Sequence, residues 1–193
     1  MSTVYTLNGK VLKNSANDKW LTKKGGPVFD EVTIGSQTWL SKNLAIDDGL
    51  GGIASMTVNY GQGNVTEYFY NWDAAVRVAA TVQGWHLPTQ EEWNTLISTV
   101  GGGNSGDKLK STYGWYLNNG TDNYGFSAFP SGNYNFSTSE NPNVTLSCIY
   151  WSSTTRSSAA IQTTRMFYED QTINSSWYGL KSSGYSIRLI KDT

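Results

Sequence analysis

The chain is 193 residues long with a net charge of −1, 13% aromatic and only 15% charged residues, which suits one domain burying roughly 70% of its unfolded surface. Eight Trp, twelve Tyr and six Phe among Gly-, Ser-, Thr- and Asn-rich stretches exclude disorder and describe a turn-rich globule with an aromatic core. The lack of a basic run argues against nucleic acid; a single Cys and a single His exclude an intramolecular disulfide and a structural zinc or iron–sulfur site; and no apolar run approaches the roughly 18 residues of a membrane span, so no direct membrane insertion is expected.

In chain order, Val4–Leu7 and Lys10–Leu12 flank Asn8-Gly9, a two-residue hairpin signal within an N-terminal extension over residues 1–30. Lys23-Lys24-Gly25-Gly26-Pro27 then breaks the pattern. A domain over residues 31–193 opens with Val32–Leu40, two short strands around Gly35, followed by the Gly-rich loop Asp47–Gly52. Asn71 is placed to cap a first helix in which Trp72, Ala75, Val76, Ala79 and Ala80 share a face. Thr89 and Glu92 form a capping-box pattern for a second helix, Gln90–Val100. Trp93, Leu96, Ile97 and Val100 make its apolar stripe, and Gly101 stops it. Loops follow, interrupted by the aromatic runs Gly114–Leu117 and Tyr124–Pro130, and short strands are predicted from Ile149 onward. Ile187 and Leu189 alternate onto one sheet face. The fold class is α+β and loop-rich, with two helices packed on short antiparallel strands.

Few groups suit catalysis. His86, between Trp85 and Leu87, reads as a hydrogen-bonded structural imidazole; no Gly-x-Ser-x-Gly elbow accompanies it. Gly101–Gly106 fits Gly-x-Gly-x-x-Gly but follows a helix instead of a strand, so it reads as a loop. Cys148 reads as a buried thiol. The carboxylates are dispersed beyond Asp47-Asp48, Glu91-Glu92 and Glu169-Asp170, and a calcium site needs several converging oxygens. No cofactor, no metal and no enzymatic activity are expected.

Seven short motifs occur in an order that resembles the Fibrobacter succinogenes major paralogous domain. They are Thr33–Leu40 with Asn43-Leu44, Tyr70–Ala75, Gly84–Thr89 with Glu92-Trp93, Asp107–Lys110, Tyr124–Ala128, Tyr150–Thr154 and Gly184–Leu189. The resemblance spans about Val32 to Asp192 and implies a C-type-lectin-like fold, related to that of formylglycine-generating enzymes. It points to a ligand-binding scaffold in bacterial or phage-borne proteins, surface-exposed or particle-associated. Cys148 lacks the second cysteine of the oxidase relatives. Glu140–Asn143 resembles the lectins' Glu-Pro-Asn triplet only in part, with the order changed and the Trp-Asn-Asp partner absent.

The segment Thr155–Ser183 combines Ser and Thr with Arg, Trp, Tyr and Phe. One reading is a β-rich region with ordinary solvent-facing residues. The other is a binding face, since Tyr and Trp give contact area at low entropic cost and Ser and Asn give adaptable hydrogen bonds. Its placement is similar to the variable region of proteins diversified by retroelements, which alter adenines in Asn-type template codons. Thr155, Arg156, Ser157, Ser158, Arg165, Phe167, Asn174, Ser175, Ser176, Tyr178 and Leu180 all fit such codons; Trp177 needs another. With Met166, Tyr168 and Ile173 in the core, these twelve positions are expected on one solvent face, binding a protein or cell-surface ligand, including a glycan. The rival expectation is a carbohydrate-binding or structural surface module without diversification.

Overall fold

The computed structural model describes residues 5–7, 10–12, 22–23, 26–27 and 29–193. Strand β1 (Tyr5–Leu7) pairs antiparallel with β2 (Lys10–Leu12), Leu7 opposite Lys10. Asn8 and Gly9, the basis of the hairpin expectation, lie outside the described residues. Strands β3 (Thr22–Lys23) and β4 (Gly26–Pro27) pair as well. The tract at Lys23–Pro27 is thus no plain break, because its two ends close a short ladder.

Strands β5 (Glu31–Ile34) and β6 (Gln37–Leu40) form the expected hairpin around Gly35. A second hairpin, unforeseen in the sequence, joins β7 (Ile53–Asn59) and β8 (Asn64–Tyr70) over their full length. Helix α1 (Trp72–Ala79) starts where the Ala74 N–H donates to the Asn71 side chain at 2.8 Å. Its buried face is Ala74, Ala75, Val78 and Ala79, while Val76 and Ala80 are exposed. That corrects the expected stripe by about one residue. On one flank Arg77 pairs with Asp48 at 2.6 Å, and on the other Trp72 Nε1 donates to the Ser152 carbonyl at 3.2 Å. These two anchors fix the helix's rotation.

Strand β9 (Trp85–His86) leads into α2 (Gln90–Val100), which has the full capping box: Glu92 N–H donates to Thr89 Oγ1 at 3.2 Å and Thr89 N–H to Glu92 Oε2 at 2.7 Å. Trp93, Leu96, Ile97 and Val100 are buried, and Gly101 ends the helix at φ +117°, a left-handed conformation that favours glycine. Loops and β10 (Tyr134–Asn135) follow. Then come β11 (Ser147–Thr155), β12 (Ala160–Phe167) and β13 (Ile173–Leu180), longer than the short strands expected. Strands β14 (Ser183–Gly184) and β15 (Ile190–Lys191) close the chain. The fold is mixed α+β and loop-rich. Instead of one sheet there are several, chiefly β5–β6–β15–β9 and β11–β12–β13. No helix among the described residues is long and apolar enough to cross a membrane.

Two core clusters meet along the closing segment. One gathers Trp39, Trp93, Phe126, Tyr150 and Met166; the other gathers Leu40, Tyr70, the α1 alanines, Trp151, Ile187 and Leu189. Ring pairs such as Trp39–Trp93 (4.7 Å) and Trp93–Tyr150 (5.5 Å) each add roughly 0.5–1.5 kcal/mol beyond burial. Trp151 is fully buried and donates to the Tyr70 carbonyl at 2.7 Å, whereas Trp85 is half-buried and edge-on to Phe29. Ser186 bridges to Tyr150, Leu189 accepts from Leu40 N–H, and Ile190 pairs with Trp39 and His86.

Arg188, fully buried between Ile187 and Leu189, donates to the carbonyls of Leu40 (3.0 Å), Phe126 and Ser127 (3.3 Å) and to Asn43 Oδ1 (2.8 Å). Asn43 in turn donates to buried Glu67 at 2.9 Å. Burial pushes the Glu67 carboxyl up, while the Asn43 amide and the Arg188 charge pull it down. Removing Arg188 takes the donors from Asn43 Oδ1 and three carbonyls and its charge from the neighbourhood of Glu67. Arg188→Met is expected to destabilise the fold by about 3–5 kcal/mol, measured by urea denaturation.

His86 bridges Glu92 (Nε2 to Oε1, 2.8 Å) and Asp192 (Nδ1 to Oδ1, 2.7 Å), tying α2 to the chain's end. Partial burial opposes the imidazolium, but hydrogen bonds and charge from Asp192 and Glu92 prevail, so its pKa is raised. A raised folded pKa gives stability that is complete below the unfolded value of about 6.5 and is lost as pH rises through the folded one. Urea midpoints of the native chain should therefore fall from about pH 6.5 upward. His86→Gln should flatten that slope.

Candidate functional site

The three-stranded sheet carries the predicted positions. Along β12, Ile161, Thr163, Thr164 and Met166 are buried while Gln162, Arg165 and Phe167 are half-buried. Two consecutive buried residues mark a bulge. Thr163 pairs with Trp177 and Arg165 with Asn174, so one β12 residue faces two on β13. Bulges re-aim side chains. Here Ser176, Trp177 and Tyr178 are exposed in succession on β13, with Asn174 and Leu180 exposed on either side.

Placement follows the expectation in most of the segment. Thr155, Arg156, Ser157 and Ser158 lie exposed where β11 turns into β12; Asn174, Ser176, Trp177, Tyr178 and Leu180 are exposed on β13. Met166 and Ile173 are buried, and Tyr168 packs partly against the same cluster. Ser175 is a correction. It is buried at 8% exposure and its hydroxyl donates to Asn94 Oδ1 on α2 at 2.7 Å, because strand alternation at this point turns it toward the helix. Arg165 and Phe167 point outward but are only half-exposed, since they stack on each other and on their neighbours.

That stacking is continuous. The Arg165 guanidinium carbon sits 4.6 Å from the Phe167 ring centre and 3.2 Å from that of Trp177. Trp177 and Tyr178 are near-parallel at 6.3 Å, and Arg156 lies 4.3 Å over Tyr178. Phe167, Arg165, Trp177, Tyr178 and Arg156 thus form one ladder of rings and guanidinium groups. Opposite it, Gly179 is required: a Cβ there would come within 2.3 Å of the Tyr185 ring, which packs on Trp151.

The sheet is braced from several elements. Gln90 N–H donates to Thr154 Oγ1 (3.0 Å) and Ser153 N–H to the Pro88 carbonyl (2.8 Å), docking β11 on the start of α2. At the β12–β13 turn, Lys110 Nζ donates to the carbonyls of Phe167 and Asp170. Asn118 donates to those of Tyr168 and Glu169 at 3.1 and 3.0 Å. Gly106 N–H donates to the Gln171 carbonyl (2.6 Å), and Ile173 N–H to that of Gly103 (2.8 Å). The Gly101–Gly106 tract is a loop, as its position after a helix implies, and it carries this brace. Burial lowers the pKa of Lys110, whose amine also lies 4.5 Å over Trp115. Neither Lys110 nor Asn118 was foreseen, because their partners are carbonyls more than fifty residues away in most cases.

A separate open cleft of about 430 Å³ lies between the β7–β8 turn and the Gly114–Tyr116 run. Tyr60, Tyr113, Trp115 and Tyr116 line it with Asn59, Gln62 and Asn119. Elsewhere, Cys148 is fully buried and its thiol is pushed up to about 12 by that burial, against a lowering pull from Lys110. Among the described residues no group of three His, Cys, Asp or Glu side chains is placed to hold a metal ion.

The family model of the Fibrobacter succinogenes major domain matches residues 32–191. No curated protein and no solved structure matches the chain. The match takes in both helices and the whole β11–β13 sheet, with the motif series from Thr33 to Leu189 inside it. The chain belongs to the Fibrobacter succinogenes major domain family.

Proposed function

We propose that this chain is a non-catalytic binding protein on a C-type-lectin-like scaffold, which presents the outer face of β12–β13 and the Thr155–Ser158 turn as a variable, retroelement-diversified recognition surface. The observation that carries the reading is the run Ser176–Tyr178 with Leu180, exposed together on a braced sheet. Large apolar side chains grouped on a surface mark interaction sites. A rigid scaffold displaying exposed residues is also the usual arrangement for binding. A partner that is a protein or a cell-surface ligand fits a surface-exposed or phage-particle-borne protein.

The absence of catalysis is part of the same proposal. A high thiol pKa makes Cys148 a poor nucleophile, and both nitrogens of His86 are taken up by Glu92 and Asp192.

A second reading has one observation in its favour. The Tyr60–Tyr116 cleft combines ring faces with Asn and Gln amides, a lining suited to a neutral sugar, and supports an undiversified carbohydrate-binding module. A glycan array separates the two, because selective sugar binding that is lost in Tyr116→Ala and kept in Trp177→Ala supports the module.

On the proposed reading, Thr155, Ser158, Ser176 and Leu180 tolerate replacement with under about 0.5 kcal/mol loss of stability, as ordinary surface positions do. Ser175→Leu, forced against α2, should cost about 1–3 kcal/mol. Chemical denaturation of the five variants checks both halves. The DNA flanking the gene should also contain a non-coding near-copy of the Thr155–Leu180 segment, differing chiefly at adenines. Sequencing that finds no such copy removes diversification and leaves the plain surface module.

A further inference from the structure

Of the chain's arginines, Arg77 is paired with Asp48 and Arg188 is enclosed by carbonyls. Arg156 and Arg165 differ. None of the ion pairs among the described residues includes them. The Nε of Arg165 is buried without a partner, as is that of Arg188, so only the outer part of the Arg165 guanidinium is open to a ligand. Both guanidinium carbons instead lie close over rings, Arg165 by Phe167 and Trp177 and Arg156 by Tyr178.

A guanidinium stacked on a ring keeps its N–H donors in its own plane, directed past the ring edge, and that fork matches a carboxylate. Stacking also fixes a side chain that would otherwise lose rotamer freedom on binding, so part of the ordering cost is met before any ligand arrives. Between the two arginines in this ladder lie Trp177 and Tyr178, 45% and 48% exposed. The surface therefore presents two ring-held cations on either side of an exposed aromatic pair.

Resting on the binding-face reading above, we infer that this ladder recognises an acidic polypeptide segment, in which two carboxylate side chains flank an apolar one. Charge complementarity selects an acidic ligand, since two unpaired cations stand on a chain of net charge −1. Polypeptide is favoured over sugar because Trp177 is covered by Arg165 at 3.2 Å and adjoined by Tyr178, leaving little open ring face for a pyranose. Trp, Tyr and Arg are also the side chains that dominate protein–protein binding energy.

The test pans a phage-displayed library of random peptides on the full chain and measures enriched peptides by fluorescence anisotropy against Arg156→Gln, Arg165→Lys and Trp177→Ala. Expected are peptides with Asp or Glu on both sides of an apolar residue. Their affinity should fall at least about tenfold in each arginine variant and weaken as salt rises toward about 1 M. Arg165→Lys keeps the charge and loses the planar stack; exposed Arg156 can be replaced without disturbing the fold, which a urea midpoint verifies. Neutral peptides that survive both arginine changes but fail with Trp177→Ala overturn the acidic preference and leave the face intact. Peptides indifferent to all three variants overturn the binding face itself. Tighter, arginine-dependent binding of polygalacturonate than of any peptide overturns the choice of polypeptide.

Discussion

A buried guanidinium organises this molecule. Arg188 sits in the last strand-like segment, fully buried, and its donors reach the β6 end, the Asn43 loop and the Phe126–Ser127 turn. No single secondary-structure element supplies those acceptors. The segment around Arg188 touches both core clusters and the strands of two sheets, so it ties together elements from the whole domain. A charge in such a place is tolerable because it is surrounded by oxygen acceptors. Without them the guanidinium would be among the costliest groups in the fold.

The polar inventory divides accordingly. Inside, Arg188, Glu67 and Lys110 are consumed by the architecture, each with partners far off in sequence. Outside, Arg156 and Arg165 are stacked but uncommitted. This contrast gives the β12–β13 face its interest, since the same residue type serves as a mortar in one place and as an open donor in another. The register shift between Thr163 and Arg165 links the two regimes: Ser175 meets α2, while the next three β13 residues are exposed in succession.

Local patterns were the legible part of the sequence. The α2 capping box, its stripe and its glycine stop are encoded within a dozen residues, and each appears where the spacing places it. The face of α1 was misjudged because nearly every position is small or apolar, so periodicity alone does not fix the rotation; Arg77 and Trp72 do, through Asp48 and Ser152. Hairpin β7–β8 was missed although Val58 and Val65 flank a Gly-containing turn, because its strands mix polar residues on both faces and Glu67 looks like a surface residue. In the Thr155–Leu180 segment, the codon pattern grouped Ser175 with the solvent-facing positions, although alternation from buried Ile173 already turns it inward. Lys110 and Arg188 were illegible as buried cations, since their acceptors are mostly backbone carbonyls, which no sequence pattern announces.

Those same carbonyls have a consequence at the β12–β13 turn. Lys110 and Asn118 grip the main-chain oxygens of residues 167–170, and the Gly106 N–H grips that of residue 171. Every amino acid, proline included, carries that oxygen. The clamp therefore does not read which side chains the hairpin bears. Sequence change on the outer face passes beneath the notice of the groups that hold the hairpin in position, so the hairpin's placement and its outer side chains can evolve on separate clocks.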